Sequence, residues 1–170
     1  MSSLRVLINL PDGRLRVSNP SSRLLQEFMS YGLSEMEAVR LIAENWGGLP
    51  EFPNPIAVTD DMIVDKNTDA IPDDRTYRDA WVGLPNRVKV DIPKARVVHL
   101  SHIRSARAKA FVDLDNGIRT GEDAGEPTTL LRQRRKALRD LPQTFDLSGA
   151  TTPKELKALW PTELDGYEPE

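Results

Sequence analysis

The alternation of apolar and polar residues at the start of the chain predicts a β-hairpin. Leu4, Val6 and Ile8 alternate with other residues, and the alternation resumes at Leu15 and Val17. A Pro-Asp-Gly turn separates the two runs, because proline and glycine favour the backbone angles of tight turns. We therefore expect two short antiparallel strands here.

The apolar spacing after the hairpin changes to that of two short helices. Asn19 is a candidate cap for the first helix, Pro20 suits its first turn, and Gly32 can end it. Ser34 and Glu37 form an S-x-x-E capping box at the start of the second helix. The hairpin and these helices together predict a small ββαα module.

The module is expected to occupy residues 1–50, and residues 51–91 are expected to form a region of linker and short strands. Two glycines at positions 47–48 can stop the second helix. The letters LPEFPNP that follow are typical of a proline-rich linker, and RVKVD further on predicts a short strand.

The longest predicted element is a helix that begins near Asp91 and meets no breaker until Gly117. Its length of roughly 25 residues corresponds to about 37 Å. Apolar and small residues recur along it at helical spacing and predict one buried stripe. The stripe consists of Ile92, Ala95, His99, Ile103, Ala106, Ala110 and Leu114.

A second helix is predicted over the letters TTLLRQRRKALRDLP, and its short connection to the first predicts an antiparallel pair. TTPKELKALWP predicts a short closing helix with its own capping box. Residues 92–161 should therefore form a helical hairpin with a closing helix, and residues 162–170 a loose acidic tail. The apolar positions of the second helix are Leu130, Leu131, Ala137 and Leu138.

These elements predict an α+β protein. It has a small N-terminal ββαα module, short middle strands, and a C-terminal antiparallel helical hairpin plus a short helix.

The stretch DDRTYRDAW, residues 73–81, contains five charged and two aromatic side chains. Carboxylates and guanidiniums at this density admit a reactive site, but no nucleophile motif accompanies them. If the segment is helical, Tyr77 and Trp81 share one face and can dock it on a neighbouring element. We therefore expect both aromatic side chains to be largely buried, and Arg75 or Arg78 to pair with a nearby carboxylate.

Positive charge is concentrated in two stretches of the chain. Arg87–Lys109 contains seven Lys or Arg and one acid, and Arg132–Arg139 contains five bases and no acid. The two stretches therefore carry +11 and the remainder −14, for a net charge of −3. This asymmetry predicts either an anionic partner such as nucleic acid, or pairing between the bases and the acidic remainder. The net negative charge of the chain disfavours nucleic acid.

Candidate catalytic and metal-binding residues are few. The chain has no cysteine, which excludes disulfides and thiolate ligands. Its two histidines, His99 and His102, lie three residues apart and share one face of the long helix. A zinc site usually needs three or four protein ligands, so we expect no metal, no cofactor and no catalytic residue. No apolar run is long enough to span a bilayer.

Four sequence elements, in the same order, resemble a group of small proteins encoded among the tail genes of bacteriophages and prophages of α-proteobacteria. Members typically carry R-x-x-R-x-A-W, then K-A-R-x-x-H-x-x-x-I-R-x-A-R, then A-L-R-D, then T-P-E-E-L-x-x-x-W-P. The resemblance covers residues 70–161 and departs from the group in the short connection between the two helices. The matching residues are Arg75, Arg78, Ala80, Trp81, Lys94, Ala95, Arg96, His99, Ile103, Arg104, Ala106, Arg107, Ala137, Leu138, Arg139, Asp140, Thr152, Pro153, Glu155, Leu156, Trp160 and Pro161.

The resemblance implies a non-enzymatic virion protein of the bacteriophage tail or tail-fibre region that works through protein–protein contacts. Its expected partners are other tail or tail-fibre subunits, or further copies of itself in a homo-oligomer; neither nucleic acid nor a membrane is expected. Two alternatives stay open. One is a tail assembly chaperone in the host cytoplasm that is absent from the mature particle. The other is a nucleic-acid-binding phage protein that uses the basic helical hairpin of residues 92–161. The expected contact residues are Tyr77, Trp81, Arg104, Arg107, Arg132, Arg134, Arg135 and Trp160.

Overall fold

A computed structural model describes residues 2–46 and 56–167 of the chain. The chain divides into two compact units, Met1–Asp91 and Ile92–Glu170, and each contains a buried apolar cluster of its own. The predicted glycine stop at positions 47–48 and the proline-rich linker up to residue 55 lie outside the described residues.

The first unit contains a three-stranded antiparallel sheet in the order β2-β1-β3. β1 spans Leu4–Asn9, β2 spans Leu15–Ser18 and β3 spans Ile63–Asp65. The predicted hairpin is confirmed, because β1 and β2 pair along the alternating residues. β3 pairs with the other edge of β1, so the middle of the chain completes the N-terminal sheet instead of forming a separate region.

Two helices pack on one face of this sheet. α1 spans Ser22–Ser30 and α2 spans Glu35–Glu44. The capping box of α2 is confirmed, since Ser34 Oγ accepts from the Glu37 amide and the Glu37 carboxylate accepts from the Ser34 amide. The buried residues of this layer are Val6, Ile8, Leu25, Ala38, Val39, Ile42, Ala43, Val58 and Ile63.

The start of α1 differs from the prediction. Ser21, not Asn19, occupies the N-cap position, and no side chain caps the helix. Pro20 is buried ahead of the first turn, so it joins the packing of the unit instead of opening the helix.

The other face of the sheet packs against a two-stranded antiparallel sheet. β4 spans Trp81–Leu84 and β5 spans Arg87–Val90. The side-chain amide of Asn9 joins the two sheets, because it donates to the Gly83 carbonyl at 3.1 Å and accepts from the Gly83 amide at 3.0 Å. The apolar residues buried between the sheets are Leu7, Val64, Trp81 and Val88.

The second unit is organised around α3, which spans Ile92–Asp123. The prediction that α3 ends at Gly117 is wrong, because the helix continues through both Gly117 and Gly121. A Cβ at Gly117 would lie 3.4 Å from Leu131 Cδ1, and one at Gly121 would lie 2.9 Å from Thr128 Cγ2. Glycine therefore permits close approach to the start of the next helix, and this tertiary role overrides its low helix propensity.

The buried stripe predicted on α3 is confirmed, except that Ile92 is only half-buried. α4 spans Thr129–Thr144 and runs antiparallel to α3, as their successive contacts show. Of its predicted apolar positions, Leu138 is buried and Leu131 half-buried, whereas Leu130 and Ala137 are exposed.

α5 spans Pro153–Ala158 and begins with the predicted capping box. A single 3-10 turn, Thr162–Leu164, follows it. The prediction of a loose tail is wrong for its described part. Leu164 is fully buried, and the Tyr167 hydroxyl donates to Asp113 Oδ2 at 2.6 Å. The described residues thus form five α-helices and two small antiparallel sheets, which give the predicted α+β fold with a C-terminal helical region.

Replacing Gly83 with alanine should destabilise the first unit. The new Cβ would lie 2.9 Å from Leu15 Cδ1 and 3.1 Å from Asn9 Oδ1, so it would displace the side chain that joins the two sheets. We expect a loss of about 1–3 kcal/mol in the free energy of unfolding, measured by urea denaturation. The control is Gly149→Ala, where nothing lies within 4 Å of the added Cβ. Equal stability of the two variants would contradict the proposed role of Gly83.

Candidate functional site

The segment 73–81 docks on its own unit through its two aromatic side chains. Tyr77 and Trp81 are each 3% exposed, which confirms the predicted burial. The segment is not a regular α-helix: a 3-10 turn covers Arg78–Ala80 and Trp81 begins β4. Burial, followed by the negative charge of Asp74, raises the pKa of Tyr77 to about 12, so its hydroxyl stays protonated at neutral pH.

The arginines of this segment do not form the predicted ion pairs. Among the described residues, no carboxylate lies within ion-pair distance of Arg75 or Arg78. Both residues instead line a cleft of about 480 Å³ in the first unit. We call this cleft the basic cleft; its lining consists of Arg5, Val17, Asn19, Lys66, Ile71, Pro72, Asp73, Arg75, Arg78 and Trp81.

The basic cleft combines positive charge with an apolar wall. Four of its lining side chains are cationic and one, Asp73, is a carboxylate. The apolar wall comes from the half-buried Val17, Ile71 and Pro72, and the buried Trp81 adds little exposed surface. Such a combination can bind an anion through the cations while the wall receives an apolar part of the same ligand.

The β1–β3 pairing brings the remaining cations to the cleft. Arg5 lies on β1 opposite Val64 of β3, and the Lys66 amide donates to the Ser3 carbonyl at 3.0 Å just beyond the pairing. The Arg5 guanidinium also donates to the carbonyl of Leu4 at 2.7 Å, which fixes its direction. Sequence reasoning missed both cations, because about 60 residues separate them in the chain and no local pattern connects them.

Asp65 partly balances this positive charge, although it does not line the cleft. The pKa of Asp65 is lowered, first by the hydrogen bond from the Asn67 amide, then by the Ser3 side chain, and further by Lys66 and Arg5. Asp65 is therefore ionised at neutral pH, and the lining of the cleft itself carries four cations and one carboxylate.

His99 has a structural position in the second unit. Its side chain is 2% exposed, and Nε2 donates to the Leu159 carbonyl oxygen at 2.8 Å, which places the ring proton on Nε2. The ring meets that of Trp160 edge-on, with centroids 5.7 Å apart and an interplanar angle of 81°. Burial lowers the pKa of His99; the hydrogen bond to Leu159 opposes this shift and the neighbouring His102 adds to it.

Metal binding by the histidines is not favoured by this geometry, because the Leu159 carbonyl already occupies Nε2 of His99. In residues 2–46 and 56–167, no group of three or more His, Cys, Asp or Glu side chains is placed to hold a metal ion. The absence of a metal remains a prediction.

Several arginines of α4 are bound within their own unit. The carboxylates that pair with them lower the net charge of the helical hairpin, which weakens the nucleic-acid alternative. The hydrogen bond from the arginine, before any other cause, lowers the pKa of both Asp115 and Asp140. The pairs are Arg132 with Glu122, Arg135 with Asp115, and Arg139 with Asp140.

Other arginines bind backbone carbonyls. Arg96 Nη2 donates to the carbonyls of Ser148 and Ala150 at 2.9 and 2.8 Å, and so holds the segment that connects α4 with α5. Two further arginines act in the same way: Arg107 Nη1 lies 3.0 Å from the Arg139 carbonyl oxygen, and Arg134 Nη2 lies 3.2 Å from that of Glu163.

The helical hairpin of α3 and α4 contains fewer Lys and Arg residues than the two basic stretches of the sequence do. Arg87 and Lys89 lie on β5 of the first unit, so two of the seven bases in the first basic stretch are outside the hairpin.

Arg107 and Arg135 also stack on Phe111, with guanidinium carbons 5.7 and 5.3 Å from the ring centroid.

The predicted contact residues therefore fall into different environments. Tyr77 and Trp81 are buried inside the first unit and are not available to a partner. Trp160 is half-buried, and its Nε1 donates to the Leu164 carbonyl at 3.2 Å. Arg104 is exposed on α3, and its side chain forms no ion pair with any other described residue.

Three of the four sequence elements that carry the resemblance lie in the second unit, and the first, Arg75 to Trp81, lies in the first unit. His99 binds the Leu159 carbonyl, and Arg107 binds the Arg139 carbonyl within the letters ALRD. Leu156 and Pro161 of the closing segment are fully buried. These residues hold the helices and the closing segment of the second unit together.

Comparison with protein-family models, curated proteins and solved structures gives no match for this chain. Within the described ranges, no helix has the combination of length and apolar character that crossing a membrane requires.

Replacing Trp81 with alanine should strongly destabilise the first unit, because it removes a buried aromatic side chain from the cluster between the two sheets. We expect a loss of about 3–5 kcal/mol, measured by thermal and urea unfolding. Tyr31→Ala is the control, since Tyr31 is 73% exposed and its removal leaves no cavity. A Trp81→Ala protein with wild-type stability would show that the segment does not dock through this residue.

The stability of the second unit should fall as the pH decreases below about 6.5. The pKa of His99 is lower in the folded state than in the unfolded state, so the unfolded state binds the proton more readily in this range. The stabilisation is complete above the unfolded pKa and is lost as the pH falls towards the folded pKa. His99→Gln should show a smaller decrease between pH 7.5 and pH 5.5, measured by urea denaturation. His102→Gln, the control, should keep most of the wild-type dependence, because burial is the main cause of the His99 shift and His102 the smallest.

Proposed function

We propose that this protein is a non-catalytic component of the bacteriophage tail or tail-fibre region that works through protein–protein contacts of its helical hairpin. The order of the four sequence elements supports the bacteriophage assignment. The packing of the second unit supports a scaffold, because its arginines and its buried histidine contact carbonyls, carboxylates and an aromatic ring of the same unit.

The observation that carries the contact surface is the outer face of α3. Val97 and Val112 are 65% and 60% exposed, and a helix places them about 22 Å apart on nearly the same side. The residues between them on this side are exposed and mostly small: Ser101, Arg104, Ser105 and Ala108. We call this surface the outer face of α3.

The outer face of α3 suits the approach of another protein element. Small side chains let a partner backbone come close, and the two valines offer apolar area that a partner can bury. Arg104, one of the predicted contact residues, is the charged side chain in the middle of this surface. An aspartate or glutamate of the partner that pairs with Arg104 would fix the orientation of the partner on this surface. Other tail subunits or a second copy of this chain are the proposed partners.

The outer face can be tested with the double variant Val97→Lys, Val112→Lys. Both side chains are exposed, so the variant should fold with a stability within about 1 kcal/mol of wild type. In a phage that encodes the protein, we expect wild type in purified particles by quantitative mass spectrometry and the double variant to be missing from them. Leu130→Lys is the control; it replaces an apolar residue that is 78% exposed on α4, and it should be incorporated.

Equal incorporation of the double variant and wild type would contradict a contact through the outer face. If the protein acts as an assembly chaperone, wild type itself will be absent from particles, and the double variant will lower the yield of complete tails. The same preparations therefore separate the virion component from its alternative.

A further inference from the structure

We propose that the basic cleft binds a small organic phosphate, a phosphate monoester that also carries a compact apolar or ring-shaped group. The cleft lies within the first unit, and this proposal does not depend on the outer face of α3 or on a role in the phage tail.

The charge of the cleft favours an anionic ligand. Arg5, Lys66, Arg75 and Arg78 converge on it, and Asp73 is the carboxylate of the lining. Even with Asp65 counted beside Arg5 and Lys66, four cations face two carboxylates. Like charges repel at short range, so an anion that enters the cleft lowers the electrostatic free energy of the folded unit.

A phosphate monoester fits this excess better than a carboxylate. It carries a charge of about −1.5 to −2 at pH 7 and offers three acceptor oxygens. The guanidiniums of Arg75 and Arg78 can each donate two parallel hydrogen bonds to such an anion, and they have no carboxylate partner among the described residues.

The size and the apolar wall of the cleft indicate which group the phosphate of the ligand carries. Its volume of about 480 Å³ lies within the range of small-molecule sites, roughly 300–1,000 Å³. Inorganic phosphate would leave most of this space to water. Val17, Ile71 and Pro72 are half-buried and form an apolar wall against which a ring attached to the phosphate can pack, whereas Trp81, at 3% exposed, contributes little surface to it.

The segment that supplies the two arginines is held in place without a ligand. Asp74 Oδ1 accepts from the Thr76 amide at 2.9 Å and from the Thr76 hydroxyl at 2.5 Å. The buried Tyr77 and Trp81 anchor the chain on either side of Arg78. A site built on fixed backbone needs little ordering on binding, which favours affinity for a small ligand.

The test is isothermal titration of the full-length protein at low salt with three probes. Phenyl phosphate presents the anion and a ring, inorganic phosphate presents the anion alone, and benzyl alcohol presents the ring alone. We expect phenyl phosphate to bind one molecule per chain, inorganic phosphate to bind more weakly, and benzyl alcohol not to bind. The absence of phenyl phosphate binding would overturn the proposal.

Charge variants test where the ligand binds. Arg75→Gln and Arg78→Gln should each weaken phenyl phosphate binding about tenfold or more, because each removes charge-assisted hydrogen bonds. Asp73→Asn should strengthen it, because it removes the carboxylate of the lining. The control, Arg87→Gln, removes an exposed charge of the same unit that does not line the cleft and should bind like wild type. Circular dichroism and thermal melting establish that each variant is folded.

Two results would overturn the proposal in different ways. An equal loss of binding in Arg87→Gln would show a general attraction of anions to the first unit instead of a site. Binding of an unphosphorylated single-stranded oligonucleotide that excludes phenyl phosphate, with a steep salt dependence, would show that the cleft accommodates a nucleic-acid backbone and not a small ligand.

Discussion

The fold of the second unit depends on hydrogen-bond donors that α3 provides to backbone carbonyls outside the helices. Carbonyls of irregular segments must find donors when they pack against a protein surface. Arg96 binds two of them, at Ser148 and Ala150, and His99 binds a third at Leu159. The positions of α5 and of the closing segment follow, since both are fixed to the same helix whose stripe packs against α4.

This arrangement explains why a helix with a net positive charge packs against an arginine-rich partner. Several arginines on α3 and α4 contact carboxylates, carbonyls and the Phe111 ring of the same unit. Each exposed pair is screened by water and contributes little on its own. Together these contacts set the orientation of the helices, while the apolar stripe supplies most of the burial.

The parts of the fold that depend on neighbouring residues could be predicted from the sequence. The hairpin, the two capping boxes and the α3 stripe each follow from a pattern within one segment. The prediction failed where a distant residue decides the outcome. Gly117 looks like a helix stop, yet Leu131 packs against it and the helix continues. Leu164 looks like part of a polar tail, yet it is buried in the second unit.

The basic cleft is a second case in which residues distant in the sequence decide what forms. Positive charge in the sequence is densest over the helical hairpin, so the sequence alone predicts the contact surface on α3 and α4. In the structure, several arginines of the helical hairpin bind carboxylates or backbone carbonyls. Arg75 and Arg78, by contrast, have no carboxylate partner among the described residues. Arg5 and Lys66 join them through the pairing of β1 with β3, which no local pattern predicts. Arginines that have no carboxylate partner among the described residues are the ones on which the proposed ligand site is built, and total charge along the sequence does not identify them.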